Sequence, residues 1–300
     1  MRGQIGRWSF TGVVLALALS ACDLAAPPQT ADSGTDWLHV KAQSALDRWA
    51  KAVAAAGGQR AFVQVGDPTG QVGVWEAAVG ENNKPAVMAG LVQASADMPV
   101  EKPADGQVRW ADGATRTVSL ASALDAVSAL TGLGGGDCPG CQPVLLTGAR
   151  LTTGQVDTSH GPATAPVWEF TVKGSAVRLT RVAIDPATTV VLPPWDPIGV
   201  PFTLSIMSAS GTVEGQDLTV KFIGAENSAD KPCGVDYSAE AVESAMAIVV
   251  ILSSRRNPTP DACTLMGFER TAIVKLAAPL GDRAVLNVQD GAPVPVVLTR

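Results

Sequence analysis

Residues 10–19 form an almost unbroken apolar run, interrupted only by Thr11 and Gly12, and its length decides what the rest of the chain has to be. A permanent membrane span needs roughly 20 apolar residues, so this run is too short to be one. Arg2 and Arg7 ahead of it make a positive head without an acidic residue, and Ser20 and Ala21 behind it are small. That order describes a secretory signal and not a core element. The remainder is therefore expected to fold in an oxidising compartment, where cysteines pair.

Leu19, Ser20, Ala21 and Cys22 close the signal. This tetrad resembles the lipobox of bacterial lipoproteins, and all four positions fit. The resemblance covers residues 1–22. It implies cleavage before Cys22 by signal peptidase II, acylation of the Cys22 thiol, and a mature chain held at the outer side of a cell membrane. The alternative is an ordinary secretory signal with an incidental cysteine. Stable anchoring takes more than one acyl chain, which lipoprotein processing supplies. Residues 22–36 are rich in Pro, Ala, Ser and Gly with no apolar period, and read as a flexible tether.

Arg2 and Arg7 leave with the signal, so 20 basic residues face 28 acidic ones and the mature charge is near −8. Arg255-Arg256 is the densest basic pair. Nucleic acid needs clustered positive charge, so that class of partner is set aside. With one Tyr and six Phe, the core must be aliphatic, filled out by Trp. The Ala, Gly and Val bias is similar to that of actinobacterial lipoproteins.

Beyond Cys22 there are four cysteines, Cys138, Cys141, Cys233 and Cys263. Cys138–Cys141 with Cys233–Cys263 is the economical pairing, but three pairings are possible.

The fold class is α+β, mainly β: a signal at 1–21, the tether at 22–36, an α+β domain with two helices at 37–192, a Pro-rich linker at 193–199, and a small antiparallel β-sandwich at 200–300. In residues 37–56, Leu38, Ala42, Ala45, Leu46, Trp49 and Val53 make one helical stripe. Residues 120–130 form the second helix, with Ser119 as its cap. Residues 61–66, 73–79 and 85–94 read as strands, with a turn at 67–70. Asp112-Gly113 marks a hairpin. In residues 166–172, Trp168, Phe170 and Val172 share one face. Residues 177–185 change phase between Leu179 and Val182, which predicts a bulge. Past the prolines, residues 245–252 are apolar on both faces and should be central. Asp290-Gly291 predicts a closing hairpin.

The chemical motifs are sparse. Cys138-Pro139-Gly140-Cys141 has the spacing of a thiol–disulfide exchanger, but that chemistry wants the first cysteine at a helix N-terminus, and a strand-like segment follows. A turn locked by a disulfide is the other reading. A zinc site needs a second closely spaced cysteine pair, which is missing. His39 and His160 are the two histidines, and Ser159 beside His160 invites a Ser-His-Asp reading against that of a solvated loop. Glu76, Glu81, Glu169 and Asp236 offer no distinctive carboxylate pair. Trp75, Trp110, Trp168 and Trp195 are either ligand platforms or core, and Trp168 is the one singled out as a ligand contact. No catalytic residue, metal or cofactor is assigned.

Residues 119–191 run helix, strands, then Val167-Trp168-Glu169-Phe170 and Ala183-Ile184-Asp185-Pro186. This order is similar to PepSY-type domains, although the Cys138–Cys141 loop departs from their pattern. The resemblance implies a binding or inhibitory module outside the cell. The expected function is thus a membrane-anchored, non-enzymatic module for a protein, peptide or cell-wall ligand, with an extracytoplasmic thiol–disulfide protein as the alternative.

Overall fold

The computed structural model describes residues 36–58, 61–131, 137–193, 195, 204–258, 263–264 and 266–298. The signal, Cys22, nearly all of the tether and most of the Pro-rich segment lie outside these residues. The fold is mainly β with three helices.

The first helix, α1 (Asp36–Ala55), buries the stripe its sequence displays. The next elements depart from expectation. In place of strands at 73–79 and 85–94 come β1 (Thr69–Val72), α2 (Ala77–Met88) and β2 (Val92–Ala94). Gly80, Asn82, Asn83 and Pro85 hide α2, because each has poor helix propensity. Tertiary contacts hold it: Ala86 is fully buried, and the Asn82 amide both accepts from the Gln142 N–H and donates to the Gln142 carbonyl. Residues 61–66 contribute only isolated bridges, Phe62 to Thr189 and Gln64 to Thr158.

The Asp112-Gly113 hairpin is present between β3 (Gly106–Trp110) and β4 (Thr115–Val118), with Gly106 opposite Val118. Helix α3 (Ala123–Thr131) starts later than predicted. Its cap is Ser122, whose Oγ accepts from the Asp125 N–H and donates to the Asp125 carboxylate. Strands β5 (Val144–Thr158), β6 (Gly161–Val172) and β7 (Arg178–Val182) follow as a meander. The seven strands make one sheet, with β6 paired to β5 along one edge and to β3 and β7 along the other. Trp168, Phe170 and Val172 lie in its core together with α3.

The remaining strands are β8 (Ile206–Gly211), β9 (Asp217–Gly224), β10 (Val235–Glu243), β11 (Ala247–Arg256), β12 (Phe268–Lys275), β13 (Ala284–Asn287) and β14 (Val296–Leu298). They form two sheets, β10-β11-β13 and β12-β9-β8-β14. Most pairs are antiparallel, but β11–β13 and β8–β14 are parallel. The closing hairpin is thus replaced by a crossing. After a brief Leu286–Pro293 bridge the chain leaves one sheet for the other, because Val285 and Val296 both point into the same core.

β11 is buried on both faces, as its composition requires. Ile248, Val250 and Leu252 face the second sheet. Ala247, Val249 and Ile251 face α1, some 200 residues earlier in the chain, through Leu38, Leu46 and Trp49. The first helix therefore packs chiefly on the last hundred residues, with Val63, Val190 and Leu192 of the α+β segment at the edge of the same cluster. Two disulfides, Cys138–Cys141 and Cys233–Cys263, are formed, each with Cα atoms 5.5 Å apart.

Candidate functional site

The seam between the seven-stranded half and the half containing α1 holds two clefts. Both use Trp49, which is 2% exposed, and Val190 as shared walls. Trp195, in the Pro-rich segment, also serves the seam. Its ring lies 4.4 Å from the Arg48 guanidinium and 5.4 Å from Lys41 Nζ, and Arg48 donates to the Pro193 carbonyl. Gly291 makes this docking possible, since a Cβ there would meet the Trp195 ring. Lys41 is buried and donates to the Gln289 carbonyl at 2.7 Å. Burial lowers its pKa, against the pull of Asp290.

The first cleft encloses about 370 Å³. Its polar wall is built on the β5–β6 turn. Thr158 Oγ1 accepts from Trp110 Nε1 at 3.0 Å and donates to the Gly161 carbonyl, which fixes the turn. His160 then reaches Asp282 of the other half, 3.0 Å from Nε2 to the carboxylate. Arg116 lies 5.5 Å from the Trp110 ring and donates to the Ala61 carbonyl. Ser159 is buried and, among the described residues, makes no hydrogen bond to the His160 ring. His39 instead pairs with Glu240 at 3.1 Å, on the outside of α1.

Arg283 also borders this cleft, but its donors are consumed by Glu243 and by the carbonyls of Ala278, Pro279 and Leu280. Burial opposes the Glu243 charge, yet the Ala277 N–H and Arg283 outweigh it and hold the carboxyl below its ordinary range. A carboxyl depressed in the folded state stabilises above its unfolded pKa, near 4.3, and loses that contribution as pH falls through the folded value. Glu243→Gln is therefore expected to be less stable at neutral pH and to show a shallower loss of stability on acidification than the parent. Urea titrations at neutral and acid pH check this; an acid decline identical in parent and variant would contradict it.

The second cleft, about 410 Å³, is more apolar, with Ala126, Ile184, Val190 and Leu192 among its walls. Its charged members are Arg181 and Asp125. The expected bulge in β7 is absent: β6 and β7 pair without a break, Trp168 opposite Arg181 and Phe170 opposite Leu179. The phase change is instead an arginine standing on the inward face. Burial lowers its pKa, and Asp67 acts in the opposite sense. Arg181 Nη1 donates to Thr69 Oγ1 at 3.2 Å.

Trp168, the predicted ligand contact, is a core residue. It is 5% exposed, and its indole N–H donates to the Ala121 carbonyl at 3.0 Å. Its cross-strand neighbour Arg181, and not Trp168, lines the second cleft. Three of the carboxylate candidates are held in contacts of their own. Glu76 accepts from Ser175 and Ala176, Glu169 pairs with Arg150, and Asp236 pairs with Arg255. Cys138–Cys141 closes a turn through the Cys141 N–H and the Cys138 carbonyl, and β5 follows it, so neither cysteine opens the helix that an exchanger's first cysteine wants. Among the described residues, no cluster of three or more His, Cys, Asp or Glu is placed to hold a metal. No helix among them is long and apolar enough to cross a membrane.

No protein-family model matches this sequence, and neither a curated protein nor a solved structure does.

Proposed function

We propose that the chain is a membrane-anchored extracytoplasmic lipoprotein that binds a ligand, without transforming it, in the seam between its two halves. The observation that carries this reading is the pair of clefts on opposite sides of Trp49 and Val190. Their volumes fall in the range of small-ligand sites, and junctions between folded units are where such sites concentrate. In this reading residues 204–298 are a sandwich with α1 laid over one sheet, and residues 119–191 keep their likeness to PepSY-type binding modules.

Helix α1, 20 residues long, spans about 30 Å, and Trp49 and Val53, towards its C-terminal end, line the first cleft.

Two measurements test the reading. Mass spectrometry of the native protein is expected to find a diacylglyceryl group on an N-terminal Cys22, and Cys22→Ala should move the protein out of the membrane fraction. An unmodified chain still starting at Met1 would remove the anchor. For binding, a thermal-shift panel of peptides, cell-wall fragments and small amphiphiles should contain a stabilising member; a ligand at about 100 times its Kd adds about 2.7 kcal/mol. Turnover of a panel member, abolished by a point mutation in the seam, would replace binding with catalysis.

A further inference from the structure

We propose that the second cleft takes a monoanionic amphiphile, a carboxylate head bound by Arg181 with an apolar body lying along Ala126, Ile184 and Val190. This rests on the seam-binding reading and names its ligand.

The argument starts from register. Arg181 occupies an inward position of β7, on the same face as Leu179 and directly opposite Trp168. Alternation assigns that position to an apolar side chain. A guanidinium has five N–H donors, and this one donates to Thr69 alone among the described residues. No carboxylate there approaches it to ion-pair distance. A partly desolvated, unpaired charge makes the folded chain less stable than an apolar residue of similar volume would. Departures of this kind from the local rule concentrate at functional sites.

The surroundings narrow the chemistry. The planar fork matches a carboxylate with two parallel hydrogen bonds. The neighbouring wall is hydrocarbon, from Ala126, Ile184, Val190, Val191 and Leu192, which suits an alkyl or aryl body. Arg181 is the one cation in this lining, Asp125 lines the same cleft, and Asp67 acts on Arg181 from nearby. A dianionic head such as a phosphate monoester would meet about twice the repulsion from Asp125 and Asp67 that a carboxylate meets, so a single negative charge fits better.

The test uses the full chain carrying Cys22→Ser, so that no acyl group of its own competes. Octanoate, octanol and octyl phosphate are titrated by calorimetry and by fluorescence, with Trp49 in the cleft wall as reporter. Octanoate should bind at least about 10-fold more tightly than octanol, the worth of a charge-assisted hydrogen bond. Arg181→Met should abolish that preference and melt at a higher temperature than the parent. Arg181→Gln should also abolish the preference. Equal binding of octanoate and octanol overturns the proposal, as does a lower melting temperature for Arg181→Met, which would make Arg181 a structural residue. Tighter binding of octyl phosphate overturns the assigned head group. If none of the three binds while another panel member stabilises the chain, this ligand class fails and seam binding stands; if nothing in either set binds, both fail.

Discussion

Replacing Trp49 with Ala is expected to lower the unfolding free energy by about 3–5 kcal/mol, as for other large buried aromatics. The indole lies between α1 and β11 at 2% exposure and also walls both clefts. Its loss opens a cavity where Ala247, Val249 and Ile251 otherwise meet the helix, and β11 then has a poorly covered second face. Urea unfolding should show a lower midpoint, and ligand binding in either cleft should weaken with it. Val40→Ala, on the exposed side of the same helix at 71% exposure, is the control and should change stability by less than about 0.5 kcal/mol. If the two variants unfold alike, α1 is not docked on β11.

The second large effect concerns Cys233–Cys263. The pair is separated by 30 residues, and opening such a loop in the unfolded chain costs about 3–4 kcal/mol in the chain-entropy model. The Cys233→Ser/Cys263→Ser double variant should lose about that much, whereas Cys138→Ser/Cys141→Ser, which frees a separation of 3, should lose about 2 kcal/mol or less. Local backbone refines the expectation. Cys233 has φ of 60°, the one positive value of a non-glycine residue among those described. Holding a side chain there costs of order 1 kcal/mol. Cys233→Gly/Cys263→Ser should therefore recover part of the loss. Gly234, beside it, tolerates no such change, because a Cβ would collide with the Ser228 carbonyl. Equal losses in the two serine double variants would refute the loop-length argument.

Both experiments touch places where local pattern and final structure diverge. The Asp112-Gly113 turn and the apolar stripe of α1 were legible because each depends on neighbours in sequence. Helix α2 was not, because its residues are poor helix formers and its stability comes from Ala86 and the Asn82–Gln142 clamp. The site was barely legible. Trp168 drew notice for its size, yet size served the core. Arg181 left one trace, a break in the apolar alternation of β7, which looks the same in sequence as a bulge.

What the residues decided alone is most of the local elements, among them α1 and the Asp112-Gly113 hairpin, and the two-faced apolar character of β11. These follow from periodicity and turn chemistry, which act over a few residues. Only the tertiary structure decided that α1 covers β11, that β13 and β14 part into different sheets, and that Arg181 faces inward beside a cleft. Those outcomes depend on which buried surfaces meet, and apolar burial is non-directional: a stripe declares that it will be covered, not by what.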